Sequence, residues 1–174
     1  MDSQEPDKRD ITHVVVPGTY DPITYGHLDV IMRARRLFPE VTVAVASSRT
    51  KRGVGTTFSL EERKEMVKEA IDEAGLPADI KVESFEGLLV DFCHEKGAAG
   101  VVKGLRAMTD FEYELQQADL NFRMAPDIES IFIMSNPEYG FVSSSIVREI
   151  ASFGSEVDVL VPPCIQRRLS KHYA

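Results

Sequence analysis

Residues 12–38 read THVVVPGTYDPITYGHLDVIMRARRLF, and their order decides the fold. The β-branched run over residues 12–17 ends in Pro17-Gly18, as a buried strand does when it feeds a tight turn. From His27 to Phe38 the apolar residues Leu28, Ile31, Met32, Leu37 and Phe38 recur at helical spacing. A strand, a turn rich in proline and glycine, and a helix therefore follow one another directly.

The same alternation continues outward. Residues 41–46 (VTVAVA) read as a second strand. Ser59 and Glu62 form a capping box, and the stripe Val67, Ala70, Ile71, Ala74 then makes a helix that closes at Gly75. Residues 80–85 are a third strand, 88–96 a helix stopped by Gly97, and 100–103 a fourth strand. Thr109 and Glu112 form a second capping box before Phe111, Leu115, Ala118 and Phe122, which share one face. Residues 130–134 are a fifth strand, 143–153 a helix, and Pro162-Pro163 opens a last helix toward Leu169. The strands are continuous apolar runs, so both sheet faces are expected to be covered. The expectation is an α/β fold: a doubly wound, Rossmann-like parallel sheet of about five strands with helices on both faces. In such a sheet ligands bind at the carboxyl ends of the strands, where the strand order reverses.

The chain has 174 residues, enough for one domain with a core of its own. Residues 1–10 are polar and charged and read as a disordered tail, leaving 11–174 as a single domain. The tail has no apolar stretch of the signal-peptide kind, and no run is long enough to span a bilayer, so a cytoplasmic protein without a membrane partner is expected. A net charge of −8 argues against nucleic acid as a partner, because sequence-independent binding needs a basic surface. Cys93 and Cys164 form no CxxC and read as reduced thiols. His13, His94 and His172 have no partners at metal-ligand spacing and read as structural or surface residues, so no protein metal-ligand set is expected.

The candidate site residues stand just after strands. Gly26-His27 stands where the first turn meets its helix, and a helix start offers backbone N–H groups and a positive dipole end to a phosphate. Lys103-Gly104-Leu105-Arg106 puts two basic groups after the fourth strand, where they read either as phosphate contacts or as a solvated turn. Ser143, Ser144 and Ser145 precede an apolar-periodic helix, so one of them is an N-cap and the others have hydroxyls for a phosphate. Residues 47–57 form a loop with Arg49, Lys51 and Arg52, which alone reads as a solvated basic face.

Thr24-Tyr25-Gly26-His27 resembles the HxGH signature of the nucleotidyltransferase superfamily, and the fuller string GTYDPITYGH resembles the phosphopantetheine adenylyltransferase family. KGLR running on to Asp110-Phe111-Glu112-Tyr113-Glu114 resembles that family's RGLR…DFEYE segment. Phe141-Val142-Ser143-Ser144-Ser145, followed by Arg148, resembles its FISSS segment. The resemblance implies reversible, Mg²⁺-dependent transfer of AMP from ATP to 4′-phosphopantetheine, giving dephospho-coenzyme A and pyrophosphate, in a homohexamer. It implies catalytic roles for Thr19, His27, Lys51 and Arg106. ATP contacts would come from Thr19, Tyr20, His27, Gly104, Leu105, Arg106, Glu114, Tyr139, Gly140, Phe141, Val142, Ser143, Ser144 and Ser145. The acceptor would be held by Thr19, Lys51, Leu89 and Lys103. Glu114 reads as a ribose-hydroxyl acceptor or as a solvated carboxylate, and Arg52 competes with Lys51 because the loop is longer than usual. Lys103 stands where the family more often has arginine, replacing a fork with a point charge. A phosphate nucleophile, with a second pKa of about 6, needs no general base, so no acid–base dyad is required. The rival acceptors are nicotinamide mononucleotide and, with CTP, glycerol phosphate; KGLR…DFEYE disfavours both.

Overall fold

The computed structural model describes residues 10–47, 55–106 and 108–174; most of the expected N-terminal tail and the basic-loop residues Arg49, Lys51 and Arg52 lie outside the described residues. Five strands form one parallel sheet: β1 (His13–Gly18), β2 (Glu40–Ala46), β3 (Lys81–Phe85), β4 (Gly100–Leu105) and β5 (Glu129–Met134), in the order β3-β2-β1-β4-β5. The chain moves outward from β1 to β3, then crosses back to β4, so the order reverses between β1 and β4. The helices are α1 (Tyr25–Leu37), α2 (Leu60–Glu73), α3 (Leu89–Lys96), α4 (Met108–Met124), α5 (Ser144–Ser152) and α6 (Pro163–His172).

Alternation along β1 divides the core between two faces. Val14 and Val16 join Leu28, Ile31 and Ala34 of α1, Met66, Val67 and Ala70 of α2, Val147 of α5 and Ile165 and Leu169 of α6. Val15 points the other way, to Ala44, Val101, Val90, Phe92 and Cys93 of α3, and Ala125 and Ile128 just past α4. Both faces are covered, as the apolar strands require. The caps act where the residue types direct. Ser59 and Glu62 close the expected capping box at the start of α2, and Gly97 ends α3 at a φ of 67°, a left-handed conformation that glycine adopts at little steric cost.

One expectation needs correction. Helix α4 begins at Met108, so Thr109 stands inside it rather than at the N-cap. The face carrying Phe111, Leu115 and Phe122 does not enter the core: the three are 47%, 45% and 59% exposed. Helical spacing identifies an apolar face, but not what that face packs against. Among the described residues no helix is long and apolar enough to cross a membrane.

Candidate active site

The site lies where β1 and β4 part. β1 pairs with β2 through to Gly18↔Val45, whereas its pairing with β4 ends at Val15↔Val101. Pro17, which has no N–H to give a ladder, stands beyond that point. The separated ends, Val16, Pro17 and Gly18 against Val102, Lys103 and Gly104, line the floor of a cleft of about 390 Å³. The turn after β1, the start of α1, Arg106, Glu114 of α4 and the start of α5 supply its walls. This is the switch-point crevice in which open α/β sheets bind ligands.

The turn after β1 is held in a defined shape. Tyr20 adopts a φ of 51°, unusual for a residue with a side chain, and the Asp21–Pro22 peptide is cis. The Tyr20 ring is buried, and its hydroxyl donates to the Val16 carbonyl at 2.9 Å. The ring lies over Gly18, where a Cβ would come within 2.9 Å of it, so glycine is what lets the turn close. Its edge meets the His27 ring at a centroid distance of 5.0 Å. Gly26 has ordinary room for a Cβ, 3.6 Å from its nearest neighbours, so no protein atom requires a glycine there.

His27 is the third residue of α1 and closes a capping box with Thr24. The Thr24 N–H donates to His27 Nδ1 at 3.0 Å, and the His27 N–H donates to Thr24 Oγ1 at 3.4 Å. Because Nδ1 accepts, the neutral ring carries its proton on Nε2. Burial, and after it the charge of Arg106, lower the ring's pKa to about 4. The imidazole is therefore a neutral donor at physiological pH.

The cationic wall comes from β4. Lys103 Nζ donates to Glu114 Oε2 at 2.9 Å, and Arg106 Nη1 donates to the Val142 carbonyl at 2.6 Å. Arg106 thereby ties the end of β4 to the segment that opens α5. At α5, Ser143 is the N-cap, its hydroxyl accepting from the Ile146 N–H, while Ser144 Oγ donates to the Pro22 carbonyl at 2.7 Å. Two of the three serine hydroxyls are thus already engaged within the protein. An anion at this helix start would meet mainly backbone N–H groups and Ser145.

Of the residues singled out from the sequence, Tyr20, His27, Lys103, Gly104, Arg106, Glu114, Val142, Ser143, Ser144 and Ser145 line this one cleft. Thr19, exposed, follows directly on Gly18. Tyr139 stacks on Tyr25 beside Gly26, and Phe141 is exposed. Leu105 is buried, and Leu89 packs against the α3 face of the core rather than lining the cleft. Sequence reading missed Asp21, Arg63 and the structural part of Arg148. Asp21 accepts from the Thr57 and Phe58 N–H groups at 2.8 and 3.0 Å, and Arg148 donates to the Asp21 carbonyl. The signal available for Arg63 was its place, four residues after the N-cap Ser59 and just ahead of the apolar stripe.

A larger groove of about 1000 Å³ lies between α2 and α6, but it is open, and within it Arg168 pairs with Glu69 and Arg167 with Glu73. The residues with phosphate chemistry are in the smaller cleft.

Comparison with known proteins shows the family. The sequence profile of the cytidylyltransferase-like family matches residues 15–150. The chain is 46% identical over 159 residues to phosphopantetheine adenylyltransferase of Frankia casuarinae, covering 91% of this chain and 96% of that one. It is 50% identical over 157 residues to the enzyme of the same name from Thiobacillus denitrificans, covering 90% and 94%. Among solved structures, a bifunctional NMN adenylyltransferase/ADP ribose pyrophosphatase from Francisella tularensis superposes with a TM-score of 0.71. That likeness covers 93% of this chain and 49% of the other at 17% identity, and shows a shared fold.

Proposed function

The chain belongs to the cytidylyltransferase-like family and to the phosphopantetheine adenylyltransferases, and we propose that the β1–β4 cleft is where its reaction takes place. That reaction is the transfer of AMP from ATP to 4′-phosphopantetheine, giving dephospho-coenzyme A and pyrophosphate. The observation that supports this site most strongly is the convergence of His27, Lys103, Arg106 and the start of α5 on one cleft at the switch point. A chain of net charge −8 has gathered its phosphate-binding groups there.

An oxygen of the acceptor phosphate attacks the α-phosphorus of ATP, and the bond from that phosphorus to the oxygen bridging the β-phosphate breaks. Pyrophosphate leaves with the bridging oxygen. The nucleophile is already mostly dianionic at neutral pH, so no side chain has to remove a proton. Positioning and charge stabilisation are what the protein supplies. His27, holding its proton on Nε2, donates to the α-phosphate as charge shifts there. Arg106 and the start of α5 hold the β- and γ-phosphates. Thr19, Lys51 and Lys103 hold the acceptor phosphate; Leu89, outside the lining of the cleft, is assigned to the pantetheine arm from the family resemblance alone. Glu114 takes a ribose hydroxyl once Lys103 turns to the acceptor.

Among the described residues no group of three carboxylate, histidine or cysteine side chains could hold a metal ion. Glu114 is the one carboxylate among the described residues lining the cleft, and it is engaged with Lys103. The donor set therefore suits Mg²⁺ as the counter-ion of the triphosphate, arriving as part of the substrate Mg·ATP. We infer a cytoplasmic homohexamer from the family resemblance. The exposed apolar face of α4, with Phe111, Leu115 and Phe122, is consistent with a subunit interface.

The reverse reaction tests the assignment. Dephospho-coenzyme A, pyrophosphate and Mg²⁺ should yield ATP, read by luciferase. ATP formation from nicotinamide adenine dinucleotide and pyrophosphate, with none from dephospho-coenzyme A, would reject it.

A further inference from the structure

Among the described residues Arg63 is the largest side chain that is fully removed from water, at 1% exposure. Among the described residues it pairs with no carboxylate. Its guanidinium donates instead to three main-chain carbonyls from three separate segments. Nε bonds the Phe58 carbonyl at 3.2 Å, and Nη1 bonds the carbonyls of Thr19 at 2.6 Å and Ala46 at 2.9 Å. These are the turn after β1, the last residue of β2 and the approach to α2. Both main-chain polar groups of Phe58 are held, since Asp21 accepts its N–H and Arg63 donates to its carbonyl. Asp21 also takes the Thr57 N–H, and Arg148 of α5 bonds its carbonyl.

Burying a guanidinium costs several kcal/mol, and an apolar side chain of similar length would fill the same space without that cost. What the arginine adds is a rigid fork that fixes three chain segments at set distances. We infer that Arg63 is a positioning residue for the acceptor end of the cleft, holding the main chain at Thr19 against the ends of β2 and the entry to α2. The inference rests on the reading that Thr19 serves the acceptor phosphate. Displacing a substrate-holding group by about 1 Å can cost on the order of 100-fold in rate, so a clamp on Thr19 is a kinetic device as well as a structural one. ATP is held from the other side, by His27, Arg106 and α5, and should feel the clamp less.

Arg63→Lys and Arg63→Gln test this in the full-length protein. Lysine can satisfy some of the three carbonyls and glutamine fewer, so lysine is the partial rescue and also the variant with the better prospect of folding. The expected result is a rise in KM for 4′-phosphopantetheine of about tenfold or more in Arg63→Gln, an intermediate value in Arg63→Lys, and KM for ATP within about twofold of the parent. Equal loss for both substrates, or acceptor kinetics within twofold in a folded variant, would overturn the inference. Amide hydrogen exchange reads the clamp without reference to turnover. The Thr57 and Phe58 amides should exchange at least about tenfold faster in Arg63→Lys, while the Ile146 amide, capped by Ser143, stays as in the parent. Unchanged protection at Thr57 and Phe58 would also overturn the inference. If the parent itself released no pyrophosphate with phosphopantetheine, the proposed function would fail, and the exchange data alone would decide on Arg63.

Discussion

Replacing His27 with alanine removes two things that the geometry separates. One is structural. Nδ1 no longer accepts the Thr24 N–H, and the edge contact with Tyr20 is lost. A capping bond is worth about 1 kcal/mol and an aromatic edge contact about 0.5–1, so stability should fall by about 1–2 kcal/mol. For a protein of this size that lowers the melting temperature by roughly 2–8 °C. A protein with the usual 5 kcal/mol or more of stability stays over about 99% folded after such a loss. The other loss is the Nε2–H donor to the α-phosphate. One preorganised donor of this type is worth roughly 100- to 1000-fold in turnover, about 3–4 kcal/mol. The interaction is made mainly in the transition state, so kcat should fall with little change in KM for ATP. His27→Glu divides the two roles, because glutamate at this position closes a capping box as well as histidine does but brings no donor. It should melt within a few degrees of the parent and turn over at least as slowly as His27→Ala. Thermal melts, ATP titration calorimetry and steady-state pyrophosphate release on both variants provide the data. A folded His27→Ala protein with turnover within a few-fold of the parent would refute the donor role.

Three further outcomes are expected. The fold lowers the His27 pKa from 6.5 to about 4, so between those values the unfolded chain binds more protons than the folded one and stability is lost as pH falls through the window. The slope is at most about 1.4 kcal/mol per pH unit, and denaturant titrations at pH 6.5 and 4.5 should show a parent loss about 1–2 kcal/mol larger than that of His27→Ala; equal losses would contradict it. Lys103→Met removes the partner 2.9 Å from Glu114 and leaves a bare carboxylate facing the phosphates, so steady-state assays should show KM for the acceptor rising about tenfold or more, while Lys103→Arg stays within a few-fold. Gly104→Ala would put a Cβ 2.7 Å from Val30 Cγ2, costing about 1–3 kcal/mol by chemical denaturation, and a second change, Val30→Ala, should relieve part of that cost.

Much of this was legible in the sequence because local signals and tertiary demands agreed. The apolar strand runs required a sheet covered on both faces, and Val14 and Val15 do bury on opposite sides. The Ser59–Glu62 box and Gly97 set helix ends through bonds made within a few residues. Lys103 and Arg106 stand at the carboxyl end of β4, and His27 and the serines at the starts of the helices that follow β1 and β5, positions that parallel topology brings together. What stayed hidden depends on contacts distant in sequence. Arg63 bonds Thr19, 44 residues away, and its place after the N-cap Ser59 shows that it sits early in a helix but not which carbonyls it reaches. The parting of β1 from β4 is a matter of register, which apolar runs do not encode. Thr109 has the residue type of a cap but lies one position inside α4. The serine hydroxyls looked available until Pro22 and the Ile146 N–H were seen to engage two of them.

The central claim is that this cleft transfers AMP to a phosphate carried on pantetheine. The measurement that tests it most directly is pyrophosphate release from Mg·ATP with 4′-phosphopantetheine or nicotinamide mononucleotide as sole acceptor, each run with the parent and with Arg106→Ala. Release is expected with 4′-phosphopantetheine only, with near-complete loss in a folded Arg106→Ala protein. Release with nicotinamide mononucleotide alone, or release that Arg106→Ala leaves unchanged, would contradict it.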